Sequence, residues 1–399
     1  MDALTTPSNW QRVRLENIAE IKRGASPRPI ENPKWFCTNS NVGWVRISDI
    51  SKNSRFLYKT AQKLSKKGIE KSRFIKQNSL IMSMCATIGK PIITKIDTCI
   101  HDGFVVFENP KIDLNYLYYF LCYIEKEWLE SGQQGSQVNL NVDLIKNKEV
   151  FYPKDLNEQI AIANILSDVD RYLYSLDALI LKKESVKKAL SFELLSQRKR
   201  LRGFNQNWKR VRLGDICEFG NGGAYETLIV ENGDFKLISL NSIDIDGNLK
   251  NTMKRVNFYD NSLKQDDIVM VLSDVAHGDF LGLCAVIPSN DYVLNQRMGR
   301  LRKRNDCINI LFLRLYINAN QKYFKMQGQG SSQLNLSKKA IEDFEILLPP
   351  LNEQIAIANV LSALDNEIIS LKNKKRQFEN IKKALNHDLM SAKIRVLKK

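Results

Sequence analysis

The residues here whose types could carry chemistry are three histidines, seven cysteines and a few paired aspartates, so their spacing comes first. His101, His277 and His387 stand far apart, and none has a cysteine or a second histidine at ligand spacing. Neither a zinc site nor a Ser/His/Asp set can be composed from them. Cys37, Cys85, Cys99, Cys122, Cys217, Cys284 and Cys307 are odd in number and form no C-x-x-C pair, so reduced, buried thiols are expected. Asp244 with Asp246, and Asp266 with Asp267, are isolated acidic pairs with no lysine placed to complete a nuclease centre. An enzyme that methylates a flipped base needs an Asn/Asp-Pro-Pro-aromatic string and a glycine-rich loop. "NPKWF" at Asn32 has lysine in place of the second proline, and "LLPPL" around Pro349 lacks the preceding acid or amide. The expectation is a chain with no catalytic residue, metal or cofactor of its own.

Charge says what such a chain would bind. Its 399 residues carry 60 Lys and Arg against 44 Asp and Glu, a net charge of +16. An excess of that size suits a polyanion, nucleic acid first. Hydrophobic residues make up 43%, enough to fill real cores, and the length calls for two or more domains. No uninterrupted apolar run approaches the roughly 18 residues of a membrane span. "MDALTTPSNWQRVR" lacks the segments of a signal peptide, so a cytoplasmic location and no membrane partner are expected.

The positioning elements come twice. "LNEQIAIANIL" at Leu156 returns as "LNEQIAIANVL" at Leu351, 195 positions later (351 − 156). "WQRVRLENIAEIKRG" at Trp10 returns as "WKRVRLGDICEFGNG" at Trp208, and "GSQVNLNVDLIKN" at Gly135 as "GSSQLNLSKKAIED" at Gly330. A period of nearly 200 residues is a duplicated domain plus helix, not a solenoid. The middles diverge. "GWVRISDI", "DFKLISLNSIDI", "SLIMSMCATIGK" and "DIVMVLSDVAHG" read as strands, and 114–130 and 309–324 as buried helices. Each middle is thus a compact domain mixing helix and strand.

From Leu156 the pattern is helical, with Asn157 able to cap it and Glu158 and Gln159 in the first turn. Leu166, Val169, Leu173, Leu176 and Ile180 follow at gaps of 3, 4, 3 and 4, matched by Leu361, Leu364, Ile368 and Leu371. That is a coiled-coil seam. A seam needs a partner, and antiparallel packing of the two copies supplies one.

The two "LNEQIAIAN" and two "W-x-R-V-R-L" strings, with "GWVRISDI", "ATIGK", "LSDVAHG" and "LNQRMGRLR", give the whole chain a resemblance to the specificity subunits of type I restriction–modification enzymes. The resemblance implies an α+β fold with an internal pseudo-twofold repeat: a target-recognition domain (1–155), a spacer helix (156–202), a second target-recognition domain (203–350) and a second spacer helix (351–399). It implies that the two spacer helices form an antiparallel coiled coil, and that the chain reads a bipartite, asymmetric site on double-stranded DNA. It also implies docking of two methylation and two restriction subunits, which hold S-adenosylmethionine, ATP and Mg. Docking and helix pairing would then rest on Gln159, Ile160, Gln354 and Ile355 together with the seam residues.

Candidate DNA contacts in the first half are Lys22, Arg23, Ser26 and Arg28 in "IKRGASPRP", and Lys63, Lys66, Lys67 and Arg73 in "KLSKKGIEKSR". In the second half they are Asn221 and Tyr225 in "GNGGAYE", with Lys254, Arg255 and Arg297. "SGQQGSQ" and "MQGQGSSQ" are loops able to approach a phosphate backbone. The rival reading is a coiled-coil adaptor joining two protein-binding domains. It predicts binding that ignores DNA and depends weakly on salt.

Overall fold

A computed structural model describes residues 7–52, 55–131, 140–275 and 278–396. The chain forms two compact units, Met1–Asp177 with Asn373–Lys399, and Ala178–Lys372. No helix among the described residues is long and apolar enough to cross a membrane.

In the first unit the opening strand Trp10–Arg14 pairs antiparallel with Glu149–Pro153, in the register Trp10 to Pro153 and Arg14 to Glu149. Trp10 is buried in the core, while Arg12 is exposed and meets Glu149. A five-stranded sheet follows, in the order Glu20–Arg23, Phe104–Glu108, Leu80–Ser83, Pro91–Thr94, Phe56–Leu57. All four residues of Leu80–Ser83 are buried, which explains its continuous apolar run. A four-stranded sheet has the order Gln62–Lys63, Gly43–Val45, Thr98–Ile100, Arg73–Ile75, and its middle pair is parallel.

The second unit repeats this plan. Lys209–Arg212 pairs with Glu345–Leu348, and Arg210 meets Glu345. One sheet runs Cys217–Asn221, Met298–Lys303, Ile268–Val271, Cys284–Val286. The other runs Arg255–Val256, Phe235–Ile238, Tyr292–Leu294, again with a parallel pair. The α+β reading of the middles therefore holds. Three local expectations need correction. "GWVRISDI" is a strand only to Val45, then the helix Ile47–Ser51, and "DFKLISLNSIDI" likewise a strand only over Phe235–Ile238, then the single turn Leu240–Ser242. The two apolar helices each break once, into Leu114–Tyr123 and Glu125–Ser131, and into Ile310–Ala319 and Gln321–Gln327. Of the thiols, Cys99, Cys217 and Cys284 are buried, whereas Cys37 and Cys307 are exposed on polar loops.

Two long helices, Leu156–Leu195 and Leu351–Met390, open on the repeated L-N-E-Q string. Its glutamate takes the indole N–H of the opening tryptophan: Trp10 donates to Glu158 at 3.1 Å and Trp208 to Glu353 at 3.0 Å. Its glutamine is a clip. Gln159 Nε2 donates to the Pro153 carbonyl at 2.9 Å, and its Oε1 accepts from the Asp113 N–H at 2.8 Å. Gln354 does the same with the Pro349 carbonyl (2.8 Å) and the Asn309 N–H (2.9 Å). Asp113 and Asn309 in turn cap the buried helices at Tyr116 and Phe312. One dipeptide thus ties three elements together. The first long helix is capped by Asp155, which accepts from the Asn157 N–H, and not by Asn157 itself. The helices end on Gln197 (φ 61°) and Ala392 (φ 58°), an equivalent left-handed stop in both copies that uses no glycine.

Within the first unit the two helical segments run antiparallel. Asp170 meets Lys382, Asp177 meets Lys375, and the Tyr172 and Phe378 rings lie 4.6 Å apart. Within the second unit Lys187 meets Asp365 and Lys183 meets Glu367. Position by position, Asp170–Lys382 and Lys187–Asp365 are the same ion pair in the two copies (365 − 170 and 382 − 187 both give 195). The seam read from leucines therefore continues as lysines.

Glu353 is fully buried and also receives Arg200 through two bonds, at 3.0 and 2.6 Å. Glu158 is half-buried and has Asn9 at 2.8 Å in that place. Glu353→Ala is expected to lower the second unit's stability by about 3 kcal/mol, and Glu158→Ala the first unit's by about 1 kcal/mol. Peptide-resolved hydrogen exchange on the intact chain reads both, and equal losses would contradict the account.

Candidate nucleic-acid interface

The basic candidates other than Arg297 fall into three groups. Lys22 sits between Glu20 (3.0 Å) and Glu108 (2.5 Å), and its pKa is raised, first by the bond to Glu108. Arg255 donates to the carbonyls of Gly233 and Asp234. Both are committed to internal partners. Lys63, Lys66, Lys67 and Lys254 are exposed, the first three along the edge strand Gln62–Lys63 and the helix Lys66–Glu70. The third group surrounds Asp102. Arg23 Nε donates to its carbonyl at 2.8 Å, Ser26 Oγ to its carboxylate at 2.5 Å, and Arg28 pairs with it at 3.1 Å. Arg73 donates to the Arg23 carbonyl at 2.7 Å. The Ser26 hydroxyl and then the Arg28 charge hold the Asp102 carboxyl below its usual range.

That group borders a cleft of about 460 Å³, lined by Ser26, Arg28, Trp44, Arg46, Ser48 and His101 among others. It opens beyond the carboxyl ends of the parallel strands Gly43–Val45 and Thr98–Ile100, where α/β-type sheets commonly take ligands. Burial pushes the His101 imidazole down to about 4, against the pull of Asp102, and its Nδ1 accepts from the Gly103 N–H at 2.9 Å. The second unit has a cleft of about 440 Å³ beyond the equivalent strand ends, lined by residues including Asn241, Lys250, Ser273, Arg297, Ser332 and Gln333.

Asn221 ends the strand Cys217–Asn221, and Tyr225 donates its hydroxyl to Asp260 at 2.9 Å, so the ring is held in the fold. Arg297 is exposed, with its backbone left-handed at φ 67°. Sequence reasoning missed Arg46, Ser48, His101 and Asp102. Their signal was the residues directly after "GWV" and "TCI", where the parallel strands stop. "MQGQGSSQ" supplies Ser332 and Gln333 to the second cleft, whereas most of "SGQQGSQ", like His277, lies outside the described residues.

The helix candidates also sort. Gln159 and Gln354 are buried clips within their own units, and so are not free to meet a partner. Leu166 and Leu361 belong to the globular cores, alongside Ile162 and Ala163 or Ile357 and Ala358. Leu176 and Ile368 are buried, while Val169, Leu173, Leu364 and Leu371 are half-buried. Ile160 and Ile355 are exposed, at 38% and 37%.

The model of the type I restriction modification DNA specificity domain matches the chain twice, over residues 7–183 and 205–380. The chain belongs to the type I restriction modification DNA specificity family. The specificity subunit of type I restriction enzyme MjaVIII from Methanocaldococcus jannaschii is 26% identical, over 99% of this chain and 95% of its own length. The specificity subunit of EcoprrI from Escherichia coli is 25% identical over 41% of this chain and 42% of its own. The specificity-family fold is shared with a type I restriction-modification S subunit from M. genitalium, with a TM-score of 0.63, 17% identity and 97% of each chain covered. Each specificity-domain match takes in one globular part and most of the long helix that follows it.

Because His101 is kept neutral, its stability contribution is complete above the unfolded-state pKa near 6.5 and is lost as pH falls towards 4. With its partial exposure discounted, about 2 kcal/mol should be lost across that window. A melting-temperature series from pH 7 to pH 4 should fall less steeply for His101→Gln than for the parent; parallel curves would refute the assignment.

Proposed function

We propose that this chain is the DNA-reading subunit of a type I restriction–modification complex and has no catalytic centre of its own. Each unit reads one half of a bipartite, asymmetric site, and the two long helices form an antiparallel coiled coil that sets the distance between the halves. Forty helical residues correspond to roughly 60 Å. The observation that carries the reading is a contrast between the copies. The helix openings repeat side chain for side chain, with Leu156 and Ile160 exposed in one and Leu351 and Ile355 in the other. The clefts at equivalent strand ends have unlike linings.

Identical exposed apolar openings suit two copies of one partner, the methylation subunit, with restriction subunits joining the assembly. S-adenosylmethionine, ATP and Mg belong on those partners. Lys63, Lys66, Lys67 and Lys254 are the phosphate contacts, and the clefts are the base readers.

The deciding experiment is single-molecule sequencing of modified bases with and without the gene. Loss of a motif with two defined halves and an undefined gap is expected. An unchanged pattern while the gene is expressed favours the adaptor reading. Ile160→Asp with Ile355→Asp should reduce co-purification of the methylation subunits at least tenfold without unfolding the chain. Undiminished assembly removes the docking part of the proposal.

A further inference from the structure

The two clefts lie at equivalent places, yet each takes its guanidinium from a different element. In the first unit it is Arg46, directly after the strand Gly43–Val45. Its backbone is fixed by its N–H bond to Asp49 at 2.9 Å, while Asp49 also accepts from the Ala61 N–H at 3.0 Å. The second unit has Ser239 at the matching position, where the Ser242 hydroxyl does the anchoring at 2.9 Å. There the guanidinium comes from Arg297, in the turn between Tyr292–Leu294 and Met298–Lys303. The first unit has Gly103 at that position, and a side chain there would collide with Cys85 Sγ and His101 Cε1, both at 2.6 Å. The first unit thus has no room for an arginine at the position the second unit uses.

Neither guanidinium has a hydrogen bond or ion pair among the described residues, although Glu226 is a Coulombic neighbour of Arg297. That separates them from Arg23, Arg28, Arg73 and Arg255, all tied to carbonyls or carboxylates. Arg297 also holds a left-handed backbone, a costly state that clusters at ligand clamps. The first cleft has a further unmet donor. Trp44 forms part of its wall, and the fully buried indole N–H has no partner. Each cleft also holds a carboxylate, but Asp102 is engaged by Ser26 and Arg28, and Asp274 accepts from the Phe280 N–H, which leaves each guanidinium to face the acceptor edge of an incoming group.

Building on the function proposed above, we infer that Arg46 and Arg297 are the specificity-determining residues of the two halves. Each reads a guanine through its O6 and N7 acceptors in the major groove. Because they enter from non-equivalent positions, the guanine they require sits at a different place within each half-site.

The test uses the complete complex with its methylation subunits, in cells, with the modified motif read by sequencing. Arg46→Gln should make one guanine of one half admit adenine, the base glutamine pairs with. Arg297→Gln should do the same in the other half, each leaving the opposite half intact. Discrimination at that position, measured by competition with single-substituted duplexes, should fall about 5- to 150-fold. If Arg46→Gln or Arg297→Gln leaves too little modification to read, the same competition on purified complex decides. A wild-type two-part motif that stays unchanged in both variants overturns this assignment alone. So does a uniform loss of affinity with a salt slope shallower by about 0.9, the mark of a phosphate clamp. Absence of any two-part motif in the wild type overturns the parent reading as well.

Discussion

Each globular part depends on one buried polar clip at the mouth of its long helix. A glutamine side chain in a low-dielectric interior must have both ends bonded or it destabilises the fold. Gln159 and Gln354 meet that demand by joining a proline carbonyl just before the long helix to the cap of a buried helix. The neighbouring glutamate takes the tryptophan of the opening strand, so the chain's entry into the domain and its exit into the helix close on one dipeptide. The direction in which each long helix leaves its domain follows from that closure. Each divergent middle enters that closure only through the cap of its buried helix, Asp113 or Asn309, so the rest of it can vary.

The helix contacts are of a different kind. The apolar stretch of each seam drives association. The lysine stretch lies over carboxylates that are themselves half-exposed, and such pairs contribute little net stability. Their effect is on alignment: Lys187 over Asp365, and Lys382 over Asp170, leave a shifted register with a lysine facing leucine.

Much of this was legible in the sequence. The duplication, the mixed domains and the two long helices follow from strings that repeat and from apolar spacing. The helix stops were hidden because Gln197 and Ala392 do the work usually given to glycine. Gln159 and Gln354 read as surface residues because glutamine usually is one; only the hydrogen-bond partners reveal them as interior. Half of the seam escaped because it is written in lysine. The candidate interface was read from basic clusters, which found Arg23, Ser26 and Arg28 around Asp102 but missed Arg46 and His101. Arg46 sits in a run read as strand and His101 in a stretch assigned to no element, and their place becomes visible only when parallel pairing sets the strand ends side by side.

The first unit is discontinuous, built from Met1–Asp177 and Asn373–Lys399, while the second is one uninterrupted stretch. Leu389 and Met390 are fully buried in the core that holds Trp10 and Leu15. During synthesis that core cannot close until residues 373–399 have left the ribosome, by which time every residue of the second unit is available. Domains usually mature in the order they are made. Here the order is reversed, and the domain begun first is the last to be completed.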